Sequence, residues 1–571
     1  MSNEIVKRET RWAIHLPKNY DREDYHYVKE QVTYADGSQK PRTFLVKDFE
    51  RPVWVTKQSE RNHKDKKEFE YADKLISQKT TESNLNRTAA GLLGQAHLSS
   101  NLSALKSSPF IYGFDVTSTS LVKLQSLKRN NNVQTPYTIA TFDIETTVDT
   151  KDILMATVTL KQGNKILVRT ALLQSYLKGI RDYKAKFDLA MDTYLPQYKD
   201  KLDVELSIHS NVVDLLTCIF KTCNDLAPDL LAIWNMDFDI PTVIDNIKNK
   251  GVNPADVICD QDVPRPLRVC RYRQGVTKKV TASGKVMPVN PSLQWHSLTS
   301  TSKFFVIDAM CTYRQLRAGR PEEPSYSLDN ILKKELNTQK LKFTQADEYK
   351  GALWHVFMQE NYPIEYIVYN IYDCLSMLEL EAKTNDLARS LPDFAGITDF
   401  ARFNSQSRKL SDALFLFGMG KGRVIGTAAP FKEEDEVDDS MLETDEDDDD
   451  YNDPSKYNTL ALKGWIQLLP QSLLVMDGLQ VFEDAPFLKT NIRGLVSDVD
   501  SVSSYPSATN AGNVSLETTV NEIISMAGVD EEVFRQQNLG ICLGDANLLE
   551  YFTVMFGLPG LEDIDDLISD M

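Results

Sequence analysis

Residues 137–147, YTIATFDIETT, decide how the rest of the chain is read. Ile139, Thr141, Phe142 and Ile144 make a β-branched and aromatic run suited to a buried strand. Two carboxylates, Asp143 and Glu145, stand at i and i+2 near its end. Alternate residues of a strand share a face, so both acids point the same way. Such groups repel each other and lose hydration, an arrangement a fold keeps mainly where a cation neutralises it. A solvated strand rim carries the same Asp-x-Glu pattern, so a cation site requires further carboxylates elsewhere.

At 571 residues the chain is long for one core, and roughly two to four domains are expected. With 42% hydrophobic and 26% charged residues it has the balance of a soluble globular protein. No apolar run approaches the ~20 residues of a membrane span, and MSNEIVKRETRWAIH lacks the apolar core of a signal peptide. The seven cysteines include no CxxC pair; Cys218 and Cys223, in TCIFKTC, have no companions at zinc spacing. Reduced thiols in a cytoplasmic compartment are therefore expected. The net charge of −18 is local: residues 432–453 hold fourteen acids and one lysine, and residues 560–571 five acids and no base. Without them the body is neutral, so the sum does not exclude nucleic acid.

An α/β fold is expected in five parts. Residues 1–135 mix strand-like runs with lysine-rich connections, as a mixed α/β N-terminal domain. Residues 136–395 alternate strands (DILMATVTL, KILVRTALL, DLLAIWNM, FFVIDAM) with helical patterns such as VVDLLTCIFKTCNDLA. Basic, β-like arms at 271–288 surround Ala282-Ser283-Gly284 as a hairpin. Residues 396–431 are expected to be mainly helical, 432–456 an acidic disordered insert, and 457–571 ordered again before the acidic tail.

Two more acidic sites follow the first. In Asn235-Met236-Asp237-Phe238-Asp239, Asp239 opens an apparent helix with Pro241 in its first turn, where a capping role is the plainer reading. In Tyr366-Ile367-Val368-Tyr369-Asn370-Ile371-Tyr372-Asp373, Tyr369 and Asp373 lie four apart on a helical pattern and share a face, which a buried tyrosine beside an exposed acid also explains.

Together and in this order, Asp-x-Glu, Asn-x-x-Phe-Asp and Tyr-x-x-x-Asp resemble the three exonuclease motifs of the DEDDy family. That resemblance implies an RNase H-like fold in which Asp143, Glu145, Asp239 and Asp373 hold two divalent metals, Mg²⁺ or Mn²⁺, while Tyr369 orients the attacking water. Hard oxygen ligands suit these ions, which activate water and stabilise a leaving oxygen. Ser325-Tyr326-Ser327-Leu328-Asp329, then KKELNTQKLKF and YNIYD, is similar to family B DNA polymerases, especially those of T-even-like bacteriophages. The resemblance makes the basic hairpin a device separating primer from template. It also implies DNA as partner and the host cytoplasm as location.

Asp500-Ser501-Val502-Ser503-Ser504-Tyr505-Pro506-Ser507 resembles palm motif A of that family, with Ser504 and Ser501 at usually apolar positions. The resemblance implies that Asp500 is a Mg²⁺ ligand, with Asp498 as rival. Ser503 and Ser504 would meet the triphosphate, and Tyr505 would sit beneath the sugar. The fingers motif and the second palm motif, D-T-D-S, do not occur in residues 514–571. Nucleotidyl transfer needs carboxylates from both palm motifs. The expectation is the N-terminal subunit of a split polymerase, carrying a 3′–5′ proofreading exonuclease and a partial palm. A second chain would supply fingers, the other palm Asp and thumb. A stand-alone exonuclease with a degenerate palm as scaffold, and a non-catalytic replisome assembly subunit, are the alternatives. Leu561, Ile564, Leu567, Ile568 and Met571 recur at helical spacing in the tail, a pattern shared by a frayed terminus and a peptide that docks on a sliding clamp or the second chain.

Overall fold

The computed structural model describes residues 4–16, 23–130, 135–280, 286–317, 322–388, 415 and 418–427, with 542–543 and 546–547. The chain divides into two compact units, 1–442 and 443–571. In the second, the described residues form one antiparallel pair, Cys542–Leu543 with Ala546–Asn547. The first unit holds the other described elements.

Its N-terminal part is mixed α/β. Strands β1 (Ile5–Leu16), β2 (Tyr25–Tyr34) and β3 (Gln39–Lys47) form an antiparallel meander. After β4 (Arg51–Thr56) and β5 (Phe69–Tyr71), strands β6 (Leu75–Thr80) and β7 (Ile111–Tyr112) both pair with β4. Helices α1 (Leu85–Leu93) and α2 (Leu102–Lys106) pack Ala89, Ala90 and Leu105 against Val53 and Val55, and α3 (Ser118–Asn130) ends this part.

The central sheet has six strands: β8 (Ile139–Thr146), β9 (Ile153–Gln162), β10 (Lys165–Leu173), β11 (Leu202–His209), β12 (Leu230–Ile233) and, beyond four short strands, β17 (Phe305–Asp308). Their spatial order is β11-β10-β9-β8-β12-β17. Strands β8, β9 and β10 run antiparallel in succession, β11 lies parallel to β10, and β12 and β17 extend the sheet parallel to β8. Helices α4 (Tyr183–Tyr194), α5 (Val212–Leu226), α6 (Met236–Asn249) and α7 (Pro254–Ile258) precede β17; α8 (Ala309–Gln315), α9 (Leu328–Leu336), α10 (Ala352–Asn361) and α11 (Pro363–Thr384) follow it.

Both faces of β8 are covered, one by an apolar core and the other by α11. Ala140, Phe142 and Ile144 join Leu216, Phe220 and Ile240 of α5 and α6 in one core. Thr141, Asp143 and Glu145 therefore face the other way, toward α11. Because β8, β12 and β17 are parallel, their carboxyl ends gather at one edge, the usual place for a ligand in an open α/β sheet.

A buried ion-pair cluster joins the two parts. Asp229, just before β12, receives Arg11 Nε at 3.1 Å and lies 3.3 Å from Lys29 Nζ. Thr138 N and Oγ1 also donate to it, at 2.9 and 3.0 Å. Burial opposes the Asp229 charge, but Lys29 and Arg11 prevail and hold its pKa low.

Three local features differ from expectation. Helix α6 begins at Met236, so Asp239 is inside the first turn and is not the cap. The hairpin is confined to β14 (Lys278–Val280) and β15 (Val286–Pro288); the preceding β13 (Cys270–Arg273) pairs instead with β16 (Ser297–Ser300). The tip at 281–285 lies outside the described residues. Within 396–431, β18 (Arg423–Ile425) pairs with β5, its Val424 and Ile425 packing among Trp54, Tyr112 and Phe415. Among the described residues no helix is long and apolar enough to cross a membrane.

Candidate metal centre

The two periodicities meet where α11 crosses β8. Thr141 Oγ1 donates to the Cys374 carbonyl at 2.8 Å, and Asn370 Nδ2 donates to Asp143 Oδ2 at 2.7 Å. Tyr366 OH donates to Glu145 Oε2. Strand residues two apart thus engage helix residues about a turn apart, running in opposite directions. This register brings Asp373 to the strand acids: carboxylate oxygens of Asp143, Glu145 and Asp373 all lie within 4.8 Å of one another. Asp239 falls outside that group of three but faces it electrostatically from α6.

Burial raises the pKa values of all four carboxylates, and for three of them their carboxylate neighbours add to it. Asp143 is pushed up to about 7 by desolvation and then by Asp373. Burial, followed by Asp143, holds Glu145 well above the usual range. Asp239 is raised in the same way, by burial and then by Asp143, Glu145 and Asp308. Asp373 is also raised by burial, against the pull of Lys340. The site is short of positive charge, and its donors are hard oxygens.

Lys340 is a functional candidate that pattern reading did not single out. Its Nζ donates to Asp373 Oδ2 at 2.6 Å and to Tyr369 OH at 3.2 Å. Asp373 Oδ1 is buried and has no hydrogen-bond partner. A buried carboxylate oxygen with no hydrogen-bond partner, on a side chain clustered with other raised-pKa carboxylates, fits a divalent cation. Lys340 is itself placed by Asp329, whose Oδ1 accepts from Lys340 N at 2.9 Å. That gives the Ser325–Asp329 motif a local task.

Outer contacts fix the remaining geometry. Tyr366 OH meets His355 Nδ1 at 2.7 Å and receives Gln359 Nε2 at 3.2 Å. Asn370 Oδ1 accepts from Thr157 Oγ1 at 2.5 Å, which aims its amide at Asp143. Asp308, at the end of β17, accepts from Cys311 N at 2.8 Å and from Met236 N at 3.3 Å. One carboxylate thereby caps α8 and, from another strand, α6. That second cap explains why α6 starts earlier than its own sequence suggests. Burial raises Asp308 to about 6.

Asp500, Ser503, Ser504 and Tyr505 lie outside the described residues. In comparisons with known proteins, no family model matches this chain and no curated protein matches it.

Proposed function

We propose that this chain is a metal-dependent 3′–5′ exodeoxyribonuclease of RNase H-like fold and the N-terminal subunit of a split family B DNA polymerase. The observation that carries the nuclease reading is the Asp143–Glu145–Asp373 cluster, with an orphaned Asp373 oxygen and with Tyr369 alongside. The mixed sheet, with its acids at the carboxyl ends of parallel strands, supports the RNase H-like reading. The polymerase reading rests on the sequence resemblance.

Asp143, Glu145 and Asp373, with Asp239 facing them, would hold the cations. Bound there, a divalent ion makes water a stronger nucleophile and stabilises charge on the departing 3′ oxygen. The protein residues divide the remaining work. Lys340 keeps Tyr369 OH and Asp373 Oδ2 in fixed relation. Tyr369 then has a hydroxyl in place to orient the attacking water. Asn370 and Tyr366 hold the strand carboxylates in one rotamer each.

The test is digestion of a 5′-labelled single strand with Mg²⁺. Stepwise shortening from the 3′ end, abolished by a chelator, is expected; an intact strand would refute the nuclease reading. Primer extension by the 571-residue chain alone would refute the split.

A further inference from the structure

The basic hairpin is not free to swing from its base. Its arms end on a small buried network around His296, which is 3% exposed. Gln294 Nε2 donates to the Val289 carbonyl at 2.8 Å, just after β15, which turns Gln294 Oε1 toward His296 Nε2 at 2.8 Å. The oxygen only accepts, so Nε2 carries the ring proton and Nδ1 accepts. Nδ1 faces Gly275 N at 3.3 Å, just before β14, and Tyr272 OH at 2.7 Å. Tyr272 OH also lies 3.2 Å from Asp237 Oδ1 in the first turn of α6, so its single proton is shared between Nδ1 and this carboxylate, and Nδ1 itself is 3.3 Å from the same oxygen. The two rings stack with planes 4° apart.

The backbone is bent to make these contacts. Trp295, a bulky residue, has φ 51°, a strained conformation that persists only where the surroundings enforce it. A Cβ on Gly275 would sit 1.4 Å from the Gln294 carbonyl oxygen, so only glycine lets these two connecting segments approach this closely. Arg271, Arg273, Lys278 and Lys279 are exposed on the strands that this network supports.

We propose that Tyr272 and His296 form a strut tying both hairpin arms to the first turn of α6, so that the hairpin and the turn carrying Phe238 and Asp239 shift as one. They are positioning residues: a strand gripped by the hairpin would be held in a set relation to the carboxylates. The nucleolytic consequence rests on the exonuclease reading above; the mechanical coupling does not.

Tyr272→Phe removes one hydroxyl and keeps the stacked ring. Amide exchange of the full chain should then quicken about fivefold in both Lys278–Val280 and Met236–Ile240, the effect of one net hydrogen bond. His296→Gln should loosen the same two segments. Quickening in the hairpin with α6 unchanged, in both variants, would overturn the strut. In Mg²⁺-dependent digestion, Tyr272→Phe should lose about tenfold on a mismatched duplex end while single-strand digestion stays within about twofold. Equal loss on both substrates would reduce Tyr272 to general support of the site and overturn its positioning role. If the unaltered chain digests neither substrate, the exonuclease reading falls, and the exchange data still decide the strut.

Discussion

Lys340 holds one oxygen of Asp373, Oδ2, at 2.6 Å, while the other, Oδ1, is buried without a hydrogen-bond partner. The lysine therefore fixes the carboxylate and opposes its protonation, and leaves its second oxygen for a cation. Lys340→Met should lower nuclease activity about 10- to 100-fold, the usual cost of losing a partner that orients a ligand. Without the ammonium, Asp373 takes up its proton more readily, so the acid limb of the pH–rate profile should move to higher pH. An unmoved limb would show that Lys340 does not act through Asp373.

The raised carboxylates give the metal-free protein a pH signature. Asp143, Glu145, Asp239 and Asp373 bind protons more tightly folded than unfolded. Their favourable contribution is complete below the unfolded value of about 4 and is lost as pH rises through the raised values, about 7 for Asp143. Tm without metal should fall between pH 5 and pH 8. At pH 8, Mg²⁺ a hundredfold above its Kd should restore about 2.7 kcal/mol. Calorimetry of Asp143→Asn/Asp373→Asn should show a flatter pH slope and no Mg²⁺ effect; a wild-type slope in that variant would contradict this assignment.

Tyr369 meets Lys340 Nζ through its hydroxyl, at 3.2 Å, and through its ring, whose centroid is 5.2 Å from the ammonium. Tyr369→Phe keeps the ring packed on Trp354 and Tyr366 and should retain the Mg²⁺-induced rise in Tm. Turnover should fall about 100-fold if the hydroxyl orients water. Turnover and metal-induced stabilisation falling together would point to damage of the cluster instead.

Asp229 is a structural counterpart to the site. Asp229→Ala leaves Lys29 and Arg11 buried without their shared anion. Denaturant unfolding should show a loss of about 3–5 kcal/mol. A change under about 1 kcal/mol, the scale of an exposed pair, would mean the cations find other partners.

The strands and helix that carry the acids were legible because their periods are local. Residues 139–146 form β8, KILVRTALL is β10, and Tyr369 and Asp373 share a face of α11. Contacts made across the fold were not. Lys340 lies in a loop 33 residues before Asp373, where no periodicity marks it. The cap of α6 comes from Asp308, 72 residues after Met236, so Pro241 by itself places the first turn too late. The edge strand β11, with Asp203 and Glu205 turned to solvent, has no continuous apolar run to announce it.

The central claim, that Asp143 and Glu145 anchor a 3′–5′ exonuclease, is tested most directly by the Asp143→Ala/Glu145→Ala variant. Its Mg²⁺-dependent digestion of a 5′-labelled single strand should be compared with that of the unaltered chain, with folding checked by circular dichroism. The account predicts a folded variant whose 3′-end shortening drops by at least about 1,000-fold. A folded variant that digests at the unaltered rate would contradict it.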